Sequence, residues 1–352
     1  MLIKKKPAVD LATVRARVPL RLGLAGGGTD LAPYCDDFGG AVLNTTIDRY
    51  AYAFIEPSPD GRVHFVAPDL GLEENFAADP DAVTAVDLKL HAGVARRMVR
   101  QYGAGVLPPI RITSYVDAPA GSGLGSSSAL VVALVEAFTT FLQAPLGPYD
   151  VAHLAYEIER VDLGLAGGKQ DQYAATFGGT NFIEFFAGDR VIVNPLRIVA
   201  PVLNELETSI VICFTGVSRR SEAIIAEQQR LMAAAGGEAL DSLHQLKRDA
   251  MEMKDALLRG RVPDMAEILN RSWLAKKRTA SGISTNHIEQ LYELALRNGA
   301  TGGKVSGAGG GGFMMFIVPP RHRVPVVRAL NQAGGTATGV HFTNQGAESW
   351  IV

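Results

Sequence analysis

Two domains of mixed α and β structure are what this sequence predicts, on three observations. The chain has 352 residues, and a domain commonly holds roughly 100–200. In its first half, a short β-branched stretch, a glycine-serine run and a long apolar helix follow one another between residues 110 and 142. Past residues 190–205, where Pro195 and Pro201 interrupt the pattern, helices dominate. The expected division is therefore 1–195 and 196–352.

Residues 1–12 read as a leader without regular structure. From 14 to 24, Val14, Ala16, Val18 and Leu20 alternate with Arg15, Arg17 and Arg21, the period of a half-buried strand. The strand runs into Ala25-Gly-Gly-Gly-Thr-Asp30, a tight loop. Residues 41–55 are apolar with β-branched members and predict a second strand. Residues 87–102 predict an amphipathic helix, with Leu88, Leu90, Val94 and Met98 near the helical period. Residues 110–116 make a short strand, and 127–142 a helix apolar nearly all round, hence buried.

A further helix is expected over 151–161, carrying Glu157 and Glu159. Then Gly164-Leu-Ala-Gly-Gly-Lys-Gln-Asp-Gln172 turns into a short helix, and 178–186 returns as a strand. In the second half, 211–215 and 313–318 are strands, and 221–235, 240–259, 265–280, 287–298 and 324–332 are helices. A third glycine run, Gly302-Gly-Lys-Val-Ser-Gly-Ala-Gly-Gly-Gly-Gly312, separates the last two helices.

Composition narrows the function. Hydrophobic residues make up 47% and charged residues 20%, enough apolar material for a packed core. Acidic residues number 36 and basic residues 34, with no long single-sign run, so neither nucleic acid nor a membrane surface is an expected partner. Cys35 and Cys213 are far apart and show no zinc spacing, which fits idle thiols in a reducing compartment. The N-terminal Met-Leu-Ile-Lys-Lys-Lys runs through Pro7 and Asp10 without the apolar core of a signal peptide. No stretch reaches the ~18 apolar residues of a membrane span, so a cytoplasmic location is expected.

The run Pro119-Ala-Gly-Ser-Gly-Leu-Gly-Ser-Ser-Ser128 carries the chemistry. A triphosphate presents many acceptor oxygens and several negative charges. The unpaired N–H groups of a helix start, with the helix dipole behind them, answer both. Gly121, Gly123 and Gly125 let the backbone come close, and Ser126, Ser127 and Ser128 can cap the helix or ligate a hard cation. No lysine follows, so this is not a Walker loop. The GxGxG spacing also misses the dinucleotide fingerprint, and no acidic residue stands where a ribose would need it. Alone, the run also fits a plain glycine-rich turn between strand and helix.

With these residues, the sequence resembles the GHMP kinases, the family of galactokinase, homoserine kinase, mevalonate kinase and phosphomevalonate kinase. Pro119 to Ala129 resembles the family's central motif. The run Val18-Pro-Leu-Arg-Leu-Gly-Leu-Ala-Gly-Gly-Gly-Thr-Asp30 resembles its first, and Lys304-Val-Ser-Gly-Ala-Gly-Gly-Gly-Gly-Phe313 its third. The three stand in the family's order and span nearly the whole chain. The resemblance implies a two-domain α+β fold, with an N-terminal α/β domain, a C-terminal ferredoxin-like α/β domain and the site between them.

It also implies ATP and Mg2+ as cofactors. Pro119, Gly121, Ser122, Gly123, Leu124, Gly125, Ser126, Ser127 and Ser128 would hold the nucleotide, and Ser127 with Glu159 the metal. Asp171, in Gly168-Lys-Gln-Asp-Gln-Tyr, matches the family's candidate base. As a residue, it lies beside a glycine turn with Lys169 close in sequence to keep it ionised, and an N-cap for the helix from Gln172 onwards is a second role that can coexist with that one. Arg21 matches the arginine near the transferred phosphoryl group. Gly27, Gly28, Thr29 and Asp30 would bind the sugar, with Lys169, Gln170, Gly307 and Gly309 beside it. Glu159 and Asp171 stand one residue further apart than in the mevalonate kinase pattern, which implies an adjusted turn.

Gly26-Gly-Gly-Thr-Asp30 departs from the Gly-Glu-His-Thr-Asp of galactokinase and resembles the heptose 7-phosphate kinase branch instead. That resemblance implies phosphorylation of the anomeric hydroxyl to a 1,7-bisphosphate, on the route to GDP-heptose and surface polysaccharide. A phosphorylated sugar calls for extra cations. Arg219 and Arg220 are the first candidates, the cluster Lys276, Lys277 and Arg278 the second, and Lys169 the third. An L-fucokinase is the alternative within the class, and a non-catalytic nucleotide- or sugar-binding module the alternative outside it. A homodimer is not fixed by anything in the sequence.

Overall fold

The computed structural model describes residues 12–79, 81–84, 87–103, 105–217, 221–233 and 237–352. β1 (Val14–Ala25) and β2 (Gly40–Pro57) pair antiparallel, Val14 opposite Ile55. The alternation in β1 has its expected cause: Val14, Ala16 and Val18 are fully buried, while Arg15 is exposed on the other face. Neither β3 (Arg62–Ala67) nor β4 (Leu72–Ala77), which form a hairpin, was signalled by the sequence. β5 (Ile110–Val116) lies between β2 and β3. β6 (Thr180–Phe185) and β7 (Val191–Pro195) complete this part.

The length of β2 lets it serve two neighbours on one edge. Its first residues, Gly40 to Thr45, pair with β6, and Ala51 to Pro57 pair with β5. The helix Ser126–Leu142 packs across this sheet. Val131, Val132, Leu134, Val135 and Phe138 are all fully buried, each contributing about 1.5–3 kcal/mol. That burial fixes the helix start, and with it the glycine-serine run, against the sheet.

β8 (Ile210–Phe214), β9 (Gly302–Val305), β10 (Phe313–Ile317) and β11 (Thr336–Thr338) form a second, antiparallel sheet in the order β11-β8-β10-β9. Counted along the chain, that order is 4-1-3-2, the ferredoxin-like arrangement. The helices Asn286–Arg297 and Arg323–Gln332 share its core with the buried Trp273 and Phe316. The last strand, β12 (Glu348–Ile351), returns to the first sheet and pairs with β1. The fold is two-domain α+β, and strand pairing does not follow a single cut of the chain.

Two local features differ from expectation. A helix, Ala200–Ser209, fills the stretch read as interrupted, with Pro201 in its first turn, where a missing N–H costs nothing. The helix expected over 151–161 is Pro148–Tyr156, followed by a π-helical turn, Glu157–Asp162. Arg219 and Arg220 lie outside the described residues. No helix among the described residues is long and apolar enough to cross a membrane.

Candidate active site

A cleft of about 440 Å³ opens between the glycine loops. The glycine-serine run forms one wall. Gly121, Gly123 and Gly125 have φ of 70°, 78° and 77°, a region that side chains disfavour. No side chain caps the helix Ser126–Leu142, so its first-turn N–H groups are free of a side-chain acceptor. Gly123 has a second constraint: a Cβ there would stand 2.4 Å from the Ser306 carbonyl oxygen. Ser306 Oγ donates to the Gly123 carbonyl at 2.8 Å, and Phe313 N to that of Ser122 at 2.8 Å. The third glycine run is thereby stitched to the central one. Gly307 lines the cleft, while Gly309 packs against Ile283. Pro119, Ser122 and Leu124 are not part of the lining: Pro119 is exposed, and Ser122 and Leu124 are fully buried.

Arg21, on β1, is 3% exposed and reaches across the floor. Its Nε and Nη2 lie 2.8 and 2.7 Å from Asp171 Oδ1, and its Nη1 donates to the Gly123 carbonyl at 2.6 Å. Asp171 therefore takes its cation from Arg21, 150 residues away, and not from Lys169. Lys169 Nζ lies 2.6 Å from Asp189 Oδ1 and 3.9 Å from Asp36, outside the cleft lining. Its position next to the helix start turns it toward those loops, although it is two residues from Asp171 in sequence.

Asp30 closes another side. Oδ1 accepts from Gly28 N at 3.1 Å and from Gln170 Nε2 at 2.9 Å, and Oδ2 from Gln170 N at 3.1 Å. The last bond satisfies a first-turn donor of the helix Gln170–Phe177, so Asp30, and not Asp171, supplies the capping carboxylate. Gly168 must be glycine for this approach, since a Cβ there would lie 1.9 Å from Asp30 Oδ2. Gly27, Gly28 and Gln170 line the cleft beside Asp30. Thr29 is fully buried and bonds the Gly26 and Ala41 carbonyls, holding the loop together.

Glu159, on the π-helical turn, is 1% exposed. Its Oε1 accepts from Ser127 Oγ at 2.8 Å; its Oε2 accepts from Ser128 Oγ and Gln172 Nε2, each at 2.7 Å. Such a turn accommodates one extra residue and is common at functional sites. A carboxylate and a hydroxyl 2.8 Å apart, next to a phosphate-type loop, are the hard-oxygen donors a magnesium ion takes while keeping water and phosphate ligands. The donor set fits that ion.

Two cleft residues, Arg160 and Lys304, and the buried Gln172 behind the lining were not singled out from the sequence. Arg160 bonds the Leu165, Ala166 and Gly168 carbonyls and Ser128 Oγ, bracing the loop before Asp171. Gln172 fastens Glu159. Lys304, in the third motif, lines the cleft with Lys276, and burial pushes the two lysines down to about 7 and about 8. Lys276 and Arg21 push Lys304 down further, while Asp30 pulls Lys276 partly back. The remaining members of the basic cluster are engaged elsewhere, Lys277 with Glu289 and Arg278 with Glu238.

The glycine-serine loop offers N–H groups to an anion, and a carboxylate steadied by a guanidinium stands beside it, its Cγ 3.4 Å from where a Cβ on Gly125 would be. That juxtaposition is what phosphoryl transfer requires, and it suits a phosphotransferase. Residues 89–179 match the family model for the GHMP kinases N-terminal domain, and 253–336 that for the GHMP kinases C-terminal domain. The chain is 42% identical to the D-glycero-alpha-D-manno-heptose 7-phosphate kinase of Campylobacter jejuni, over 97% of this chain and 100% of that one. It is 42% identical, with a TM-score of 0.81, to the crystal structure of a D-glycero-D-manno-heptose 1-phosphate kinase from Bacteriodes thetaiotaomicron, covering 96% and 99%. The L-fucokinase/L-fucose-1-P guanylyltransferase of Bacteroides fragilis is 25% identical over 94% of this chain, which spans 37% of that protein. The chain belongs to the GHMP kinases and is an ATP-dependent phosphotransferase.

Proposed function

We propose that this enzyme transfers the γ-phosphoryl group of ATP to the anomeric hydroxyl of D-glycero-D-manno-heptose 7-phosphate, giving the 1,7-bisphosphate for GDP-heptose and surface polysaccharide. One observation carries the substrate: the match to the Campylobacter kinase extends over 97% of this chain and 100% of that one. The fucokinase match is weaker and covers only part of its relative. A donor of this kind implies the cytoplasm.

The N–H groups at Gly121 to Ser128 hold the triphosphate. A magnesium ion at Glu159 and Ser127 would neutralise charge on the phosphate oxygens. Arg21 occupies Oδ1 of Asp171, and Oδ2 has no hydrogen-bond partner among the described residues. Oδ2 takes the proton of the sugar hydroxyl as its oxygen bonds to the γ-phosphorus, while the bond from that phosphorus to the β,γ-bridging oxygen breaks and ADP leaves. Arg21 stabilises both the carboxylate and the charge spreading over the phosphoryl oxygens. Asp30 and Gln170 orient sugar hydroxyls.

The test is ATP consumption across heptose 7-phosphate, mannose, L-fucose, galactose and mevalonate. Heptose 7-phosphate is expected to give the highest kcat/KM. A higher value for L-fucose, or none for any sugar, removes the reading.

A further inference from the structure

Among the described residues, every cation lining this cleft has a protein partner except one, and a second is nearly in that condition. Arg21 is bound to Asp171 and the Gly123 carbonyl. Arg160 is bound to three carbonyls and lies 3.4 Å from Glu159. Among the described residues, Lys276 Nζ donates only to the Gly27 carbonyl, at 3.3 Å, and has no carboxylate in ion-pair reach. Lys304 has neither a hydrogen bond nor an ion pair among the described residues, and its named electrostatic neighbours, Lys276 and Arg21, are both cations.

Two half-buried ammonium groups that repel each other, with no carboxylate in ion-pair reach among the described residues, cost stability unless a ligand completes them. The ligand they complete is an anion of at least two charges. ATP has its own reception in the helix start, Arg21 and the Glu159–Ser127 pair. Lys276 instead lies against Gly27 and Gly28, beside Asp30; its Nζ would be 3.1 Å from a Cβ on Gly28. It thus belongs to the acceptor wall of the cleft.

Resting on the reading that the acceptor is a sugar phosphate, we propose that Lys276 and Lys304 together receive the phosphate the sugar already carries, and so make the enzyme select a phosphorylated sugar. Two charge-assisted contacts to a dianion supply both affinity and selectivity. Lysine suits this role because a compact ammonium approaches a rotating phosphate from any side.

Lys276→Met and Lys304→Met separate the outcomes, because each removes the charge and keeps the stem. Wild type and variants are assayed with D-glycero-D-manno-heptose 7-phosphate and with the unphosphorylated heptose, and the KM for ATP is measured beside them. Each variant is expected to raise KM for the 7-phosphate by about 10–100-fold, to leave KM for the plain heptose and ATP within about two-fold, and to melt no lower than wild type. Equal losses on both sugars, or a raised KM for ATP, overturn the proposal. So does a wild type that prefers the unphosphorylated heptose.

Should wild type turn over no sugar at all, it is the functional reading that fails. Calorimetric titration of heptose 7-phosphate without nucleotide then decides the site. Binding to wild type that Lys304→Met abolishes upholds it; binding that is absent, or equal in both, overturns it.

Discussion

Arg21 holds Asp171 Oδ1 through two nitrogens, at 2.8 and 2.7 Å, and the Gly123 carbonyl through a third, at 2.6 Å. One guanidinium thus joins the first strand, the phosphate-type loop and the carboxylate proposed as base. Asp171 cannot shift relative to the loop without breaking that link, which ties the position of the proton acceptor to that of the γ-phosphate.

Asp171→Asn is accordingly expected to lower kcat by about 10²–10⁴, the usual worth of a general base. ATP affinity should change little, because Arg21 keeps its bond to Gly123. Stopped-time ADP release gives kcat, and a fluorescent nucleotide titration gives the affinity. Near-wild-type turnover with intact ATP binding would remove Asp171 from the chemistry.

Glu159→Gln keeps the shape but sets an amide N–H₂ among the donors Ser127, Ser128 and Gln172. The lost charge and the mispaired donor should raise the magnesium concentration for half-maximal rate at least about 10-fold. Magnesium titration of the rate at fixed ATP reads this. An unchanged midpoint would assign Glu159 to holding the serines alone.

Gly123→Ala and Gly61→Ala form a matched pair. Both glycines have positive φ, 78° and 76°, but a Cβ at Gly61 meets nothing within 4 Å, while one at Gly123 stands 2.4 Å from the Ser306 oxygen. Gly61→Ala should cost only the conformational strain, about 1 kcal/mol. Gly123→Ala should cost clearly more and raise the KM for ATP. Urea unfolding compares the two, and equal losses would mean the loops separate without penalty.

Lys304 also predicts a pH dependence of stability. Its folded pKa is lowered to about 7, with Lys276 and Arg21 facing it, while the unfolded lysine keeps an ordinary value near 10.5. Between those values the unfolded chain binds more protons, so stability rises with pH. The penalty is fully present below about 7 and relieved as pH rises from there. Lys304→Met should therefore be more stable than wild type at pH 7, with the gap closing toward pH 9. Urea midpoints across that range measure it, and a constant gap would mean that Lys304 stays charged in the fold as it does in the unfolded chain.

Much of this site was legible because it rests on local rules. The glycines at 121, 123 and 125 do adopt positive φ, and the apolar run after them is a buried helix. The π-helical turn Glu157–Asp162, which carries Glu159, had no such local signal. What sequence could not supply is partnership across distance. Asp171 finds Arg21 and Lys169 finds Asp189, each choice set by tertiary packing. The weak alternation of Leu72–Ala77 hid a strand, with Glu73 and Glu74 inside it. Lys304 stood within a recognisable motif, but only the packed cleft reveals that no side chain among the described residues answers its charge.

The most direct measurement is 31P NMR of the product made from ATP and D-glycero-D-manno-heptose 7-phosphate. The account predicts a second sugar phosphate resonance coupled to the anomeric proton, one ADP per sugar, and a rate at least about 100-fold lower with Asp171→Asn. A phosphate on another hydroxyl, or no bisphosphate while another sugar is turned over, would contradict it.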